Sequence, residues 1–376
     1  MWWGNRRFGA ALLTVLLGEA GGTGCGADSS GMQSETSSGS NSGVGSSTST
    51  GASSSGSHDT TGDVGGDSGS SGSSDSGDVG PSPPINHIQA KGTHNSYHVA
   101  PASSVPFWAY TMAPLDVQLD EQGVRQFELD VHFVPGEGFV VFHAPLDTET
   151  TCERFTDCLQ IMRTWSEANP THHLLFVFVE PKDDFDAESI AGHYEELDAE
   201  ILSVWPSESL LTPDDVRGDH PDLITAITTD GWPSVNDTRG KALFVLFDSD
   251  EHRDGYLARA PLLADKPMFV RGGLDIPSGG IVKIDDPVAG FDEIVEAIEA
   301  GLIVRTRADT DVVEPAAGDM SRLEAALESG AHLISTDIPA PVPEYDYEVE
   351  IPGGTPSRCN PRLAEPDCTS AAIESL

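Results

Sequence analysis

Basic side chains are scarce in this chain. Its 376 residues carry 20 Lys and Arg against 61 Asp and Glu, a formal net charge of −41. No Lys or Arg occurs between Arg7 and Lys91. This argues against nucleic acid as a partner, because phosphate contacts need clustered cations. Adsorption to an anionic bilayer through a basic face is disfavoured on the same ground. Aromatic residues are missing from residues 26–82, which are mostly Ser, Gly, Thr and Asp. Such a composition cannot bury enough apolar surface to offset the entropy of ordering, and it predicts a disordered linker. A coil of that length spans roughly 40 Å, enough to hold a domain off a surface. Apart from a short run at the N-terminus, no segment is apolar enough to be considered for a membrane span. There is no C-x-x-C pair to suggest zinc, no G-x-S-x-G elbow for a serine hydrolase, and no Gly-rich nucleotide loop after the first strand.

What is present divides the chain into three. Residues 1–25 read as an export signal: Arg6 and Arg7 form the positive region, and Phe8 to Leu17 is an apolar segment too short for a stable anchor. Gly22-Thr23-Gly24-Cys25 resembles a bacterial lipoprotein site, in which the cysteine is acylated; simple secretion is the alternative. Residues 26–82 are the linker, and residues 83–376 suit one large α/β domain. That domain keeps 53 acids against 18 bases, a net of −35, a surface that aids solubility. Setting Cys25 aside leaves Cys152/Cys158 and Cys359/Cys368, which in an exported protein predict two local disulfides.

Within the domain, β-branched and aromatic runs alternate with amphipathic stretches. Strands are expected at Ile88–Thr93, Val124–Asp130, Phe139–Phe142, Leu174–Val179, Ala242–Phe247, Pro267–Val270, Leu302–Arg307 and His332–Thr336. Helices are expected at Pro114–Gln122, Glu153–Ala168, Asp186–Val204, Pro221–Thr228, Phe291–Glu299 and Met320–Ser329. Eight strands interleaved with helices predict a (β/α)8 TIM barrel, with a doubly wound open sheet as the alternative.

Polar residues collect at the downstream ends of these strands, where a parallel barrel gathers its chemistry. Glu128 and Asp130 are two apart on one strand, so both point the same way. Two carboxylates sharing a barrel mouth repel unless a cation neutralises them. With Asn95 and Glu180 they form an all-oxygen set suited to Ca2+ or Mg2+ rather than zinc. His94 and His143 are the candidate general base and general acid, while His98 takes a structural reading. Lys182, Arg305 and Arg307 are candidates for holding a phosphate, with salt bridging inside an acidic protein as the alternative. A sugar hydrolase built on two carboxylates would leave the histidine pair idle.

These residues are joined by Trp165-Ser166-Glu167-Ala168-Asn169-Pro170, Val304-Arg305-Thr306-Arg307-Ala308-Asp309, Ser329-Gly330-Ala331, Ser335-Thr336-Asp337 and Arg358-Cys359-Asn360-Pro361. Together with Gly92-Thr93-His94-Asn95-Ser96-Tyr97-His98 they resemble the calcium-dependent branch of the phosphatidylinositol-specific phospholipase C superfamily. The resemblance implies His94 and His143 as catalytic, Asn95, Glu128, Asp130 and Glu180 as calcium ligands, and Ca2+ ahead of Mg2+. It also implies cleavage of an inositol phospholipid to a cyclic inositol phosphate and diacylglycerol. A soluble glycerophosphodiester substrate on the same barrel, or a non-catalytic surface-binding module, is the alternative. The protein is expected to be a monomer at the cell envelope or secreted, meeting membrane through its lipid anchor or its substrate.

Overall fold

A computed structural model of the chain describes residues 82–102, 106–183, 188–248, 250–353 and 356–374. The signal segment, Cys25 and nearly all of the expected linker lie outside the described residues.

Among the described residues ten strands form the sheet: β1 Ile88–Thr93, β2 Gln126–Val134, β3 Gly138–Val141, β4 Leu175–Pro181, β5 Ala242–Leu246, β6 Met268–Val270, β7 Ile281–Lys283, β8 Ile303–Arg307, β9 Leu333–Thr336 and β10 Ser357–Cys359. Eight of them run parallel in the order β6-β5-β4-β2-β1-β9-β8-β7. Between β6 and β7 the ladder reduces to bridges from Arg271 and Gly272 to Ile281, with Gly272 N donating to Ile281 O at 2.9 Å. The result is a nearly closed (β/α)8 barrel, as expected. Among the covering helices are Phe155–Ala168, Tyr194–Val204, Phe291–Glu299 and Ser321–Glu328.

Two expectations about individual strands are corrected. Phe139–Phe142 does not supply a barrel strand: β3 folds back antiparallel on β2, pairing Val141 with Val131. The reversal runs through Gly136 and Gly138, both at positive φ (83° and 86°), a conformation other residues rarely adopt. The missing barrel strand is β7, three residues behind Gly279-Gly280. So short a run has no readable periodicity. Of the expected helix Asp186–Val204, residues 186 and 187 lie outside the described residues; from 188 on, a 3-10 turn at Ile190–Gly192 precedes a helix over Tyr194–Val204.

Alternation along each strand separates two cores. Phe127, Leu129, Val131, Val177, Val179, Phe244 and Leu246 face the helices. Phe176, Phe178, Leu243, Val245, Ile303 and Leu333 fill the barrel. The inward rows turn polar towards the downstream ends: Phe176 and Phe178 lead to Glu180, Ile303 leads to Arg305 and Arg307, and Gln126 leads to Glu128 and Asp130. At the upstream end Glu374 closes the barrel, accepting from Arg125 Nε at 3.1 Å. Its segment is tied to β10 by the Cys359–Cys368 disulfide, Cα–Cα 6.1 Å.

Candidate active site

The loop after β1 is stitched onto β2. Ser96 N donates to Glu128 O at 3.0 Å, and Ser96 Oγ accepts from Glu128 N at 2.8 Å. Asn95 adopts φ 44°, a left-handed turn that its short polar side chain tolerates. Gly92 is required below it, since a Cβ there would stand 2.0 Å from Gln126 Oε1. His94 is thereby set beside the carboxylates, with Nε2 3.8 Å from Glu128 Oε1. Asn95 Nδ2 donates to Tyr110 Oη at 3.2 Å, which leaves its carbonyl oxygen as the atom for other use.

Register places the acids. Asp130 is the lateral neighbour of Glu180 across β2 and β4. Glu128, Asp130 and Glu180 offer oxygens within 4.8 Å of one another. Lys182 Nζ reaches Glu180 Oε1 at 2.6 Å and Asp130 Oδ2 at 3.1 Å, and Arg305 Nη2 reaches Glu128 Oε2 at 2.5 Å. Asp130 is buried without a well-formed hydrogen bond to either oxygen. Burial pushes its pKa well up; Lys182 opposes that, and Glu180 and Glu128 reinforce it. For Glu180, burial is outweighed by Lys182 and Lys283, and the carboxyl is lowered. Burial also opposes the charge on Lys182, but Asp130 and Glu180 overcome it and raise its pKa. Under-bonded buried carboxylate oxygens at this spacing fit a hard divalent cation.

Each candidate catalytic histidine is backed by a buried carboxylate. His94 Nδ1 lies 2.8 Å from Asp337 Oδ1, and His143 Nδ1 lies 2.8 Å from Asp147 Oδ2. Burial would raise Asp337, but His94 and Arg307 hold it below the ordinary carboxylate range. For His143 burial dominates and lowers the pKa, although Asp147 pulls it upward. Both rings keep Nε2 free of these bonds, and their side chains remain 16 % and 26 % exposed. His143 arrives from the hairpin that β3 makes with β2, not from the end of a third barrel strand. The Cys152–Cys158 disulfide, Cα–Cα 5.4 Å, lies in the segment that follows.

Arg305 and Arg307 have partners inside the protein. Arg305 is fully buried between Glu128 and Asp285, and Arg307 Nη2 meets Asp337 Oδ2 at 3.0 Å. Of the three expected phosphate holders, Lys182 is the most open, its side chain 24 % exposed. Asp337 and Asp147 were not legible as functional residues. Asp337 directly follows the last barrel strand, a signal available in sequence. Asp147 lies in a turn with no pattern to mark it.

Fold and mouth together define a (β/α)8-barrel enzyme with paired His–Asp groups beside a carboxylate cluster. The family model for Ca2+-dependent phosphoinositide phospholipase C matches residues 134–361, and the chain belongs to that family. The match takes in His143, Glu180, Lys182 and Asp337, and it begins after His94, Asn95, Glu128 and Asp130. The fold is similar to a calcium-dependent phosphoinositol-specific phospholipase C from a Gram-negative bacterium, Pseudomonas sp, in its myoinositol complex. Identity is 19 %, over 73 % of this chain and 95 % of that one, with a TM-score of 0.55. The Ca2+-dependent phosphatidylinositol-specific phospholipase C of Streptomyces antibioticus is 19 % identical over 68 % of this chain and 94 % of its own, TM-score 0.51. No curated protein matches the chain.

Proposed function

We propose that this enzyme cleaves phosphatidylinositol, or a related inositol phosphodiester, by attack of the inositol 2-hydroxyl on the adjacent phosphorus. The products are a cyclic inositol phosphate and diacylglycerol. The observation that carries the reading is the pair of histidines, each held at Nδ1 by a buried carboxylate and each keeping Nε2 out of that bond, beside three clustered carboxylates. The nucleophile belongs to the substrate, so the reaction gains from proximity and needs no protein nucleophile. His94 takes the hydroxyl proton at Nε2, and Asp337 stabilises the imidazolium that results. His143 gives a proton from Nε2 to the departing diacylglycerol oxygen, with Asp147 holding its ring.

Asn95, Glu128, Asp130 and Glu180 would hold Ca2+, which, when bound, stabilises charge on the phosphoryl oxygens and acidifies the 2-hydroxyl. Lys182 faces the phosphate, while Arg305 and Arg307 position Glu128 and Asp337. We assign residues 83–376 as the catalytic domain, exported behind the segment 1–25 and its linker 26–82. Two disulfides support an oxidising compartment. Acylation at Cys25 would set the domain close to lipid.

The test follows turnover of phosphatidylinositol and of glycerophosphoinositol by phosphorus NMR, with calcium and with chelator. A calcium-dependent cyclic phosphate signal from phosphatidylinositol is expected. Turnover confined to glycerophosphoinositol and giving no cyclic phosphate would replace this reading with a glycerophosphodiester phosphodiesterase, and no turnover of either with a non-catalytic module.

A further inference from the structure

The peptide between Thr336 and Asp337 is gripped at both ends. Its carbonyl oxygen accepts from His94 N at 3.0 Å, and its N–H donates to Asp309 Oδ1 at 2.9 Å. A peptide unit is planar, so two fixed ends set the plane and with it the Cα of Asp337. From that Cα the carboxylate reaches His94 Nδ1 at 2.8 Å through Oδ1 and Arg307 Nη2 at 3.0 Å through Oδ2. The second oxygen of Asp309 is bonded by Thr336 Oγ1, which also accepts from Ile338 N at 2.9 Å. One carboxyl group therefore spans residues 336 and 337 and closes the turn that carries the partner of His94. Asp309 takes no part in the proton transfers, and it is completely buried. Its own place is set by backbone contacts beyond β8: Ala308 N donates to Ser335 O at 2.8 Å, and Tyr347 Oη donates to Ala308 O at 3.0 Å.

Burying one acid beside another is unfavourable. Burial, then the neighbouring Asp337, push the carboxyl of Asp309 upward, and Arg307 opposes them. An apolar side chain would fill the same space at lower cost, but it would leave Asp337 N and Thr336 Oγ1 without this acceptor. We propose that Asp309 is a positioning residue for the first proton transfer: through the Thr336–Asp337 peptide it holds the Asp337 carboxylate in line with His94 Nδ1, and so aims His94 Nε2 at the hydroxyl it deprotonates. The proposal rests on the reading of His94 as the general base. It does not depend on whether Asp309 is ionised, because a backbone N–H can only donate and Oδ1 accepts in either form. Arg307 and Asp309 divide the work. The guanidinium fixes Asp337 at its side-chain end, and Asp309 fixes it at its backbone.

Asp309→Ala removes the acceptor for Asp337 N. With phosphatidylinositol its kcat should fall ~10–100-fold with KM little changed, the scale of loss when a catalytic group is displaced by about 1 Å. Asp309→Asn keeps both bonds, its Oδ1 accepting from Asp337 N and its amide donating to Thr336 Oγ1, and should recover most of the rate. Calcium affinity, read by calorimetry, should match the parent in both variants, because the clamp does not touch the carboxylate cluster. The deciding measurement is a double variant. If Asp309 acts through His94, adding Asp309→Ala to His94→Ala should slow the residual turnover of a nitrophenyl inositol phosphodiester no further, whereas general damage to the site slows it again. A further fall in the folded double variant, undiminished kcat in Asp309→Ala, an Asn variant as slow as the Ala variant, or a loss of calcium affinity that accounts for the rate each overturns the proposal. If Asp309→Ala does not fold, Thr336→Val replaces it: the shape is kept and Asp309 Oδ2 is released. That change should cost ~3–10-fold in the parent, the worth of one hydrogen bond, and nothing in His94→Ala; any other result overturns the proposal. No loss in His94→Ala itself means that the base reading has failed and takes the positioning role with it.

Discussion

Lys182 Nζ stands 3.1 Å from Asp130 Oδ2 and 2.6 Å from Glu180 Oε1, so a tethered ammonium already sits against the carboxylates proposed to hold the metal. Parallel register makes Asp130 and Glu180 neighbours, and Lys182 follows on the same β4 chain. The cluster therefore begins partly neutralised, and a divalent cation must share it with Lys182. Removing that charge in Lys182→Met should tighten calcium binding by ~10-fold, equivalent to ~1.4 kcal/mol, and lower the melting temperature of the metal-free protein. Calorimetric titration and thermal melts give the answer. Weaker calcium binding would mean that Lys182 organises the site instead of competing for it.

Chelation should abolish turnover, and calcium should restore it. Calcium should also raise the melting temperature, because it binds the folded state alone. Asp130→Asn should weaken calcium binding by ~10–100-fold, since it removes one charge from a three-carboxylate set. Full activity in excess chelator would leave the cluster without its proposed role.

Replacing either histidine separates the two proton transfers. His94→Ala and His143→Ala should each slow turnover by ~10²–10⁴ while the barrel stays folded. A leaving group of low pKa should rescue His143→Ala far more than His94→Ala. Equal rescue would show that the base and acid assignments are wrong.

Two histidines outside the mouth make stability depend on pH. Burial lowers His173 to about 3 and His332 to about 4. His332 is held neutral, accepting from Val304 N through Nδ1 at 3.0 Å and donating from Nε2 to Asn86 O at 2.6 Å. A lowered folded pKa means that the unfolded chain binds the proton first. Stability is then fully present above pH 6.5 and is lost as pH falls towards 4, by on the order of 3 kcal/mol for His332. Melting temperatures between pH 7 and 4 should fall, and His332→Gln should flatten the slope. A parent protein whose melting temperature holds level across that window would contradict the buried-neutral assignment.

Export can be read from the mature protein. Mass spectrometry should find Cys25 as an acylated N-terminus, with both disulfides closed. Cys25→Ser should release the protein from membranes. Unchanged membrane association of that variant would point to simple secretion, with the linker left as a spacer alone.

Much of the site was legible because a barrel writes its inward face with period two. Glu128 and Asp130 share a side of β2 by that rule, and Glu180 repeats it two residues beyond Phe178 on β4. What failed was legibility of short elements. β7 is three residues long, and β3 reads as a barrel strand although glycines at 136 and 138 turn it back on β2. Arg305 and Arg307 were candidates either for holding a phosphate or for salt bridging inside an acidic protein, and spacing alone could not choose between the two. Whether a buried guanidinium meets a phosphate or Glu128 depends on which strands become neighbours.

The sequence by itself determined the barrel, the strand ends that carry chemistry, the clustered carboxylates and the two disulfides. These follow from alternation and from spacing along one chain, which local physics dictates. Only the tertiary structure decided which carboxylate holds which histidine. His94 and Asp337 lie 243 residues apart, and His98 and Asp147 lie 49 apart. Closing β9 against β1 brings the first pair together, and stitching the β1 loop to the hairpin loop brings the second. No local pattern records such pairings, because they arise when the ladder closes on itself and the charges inside must find partners.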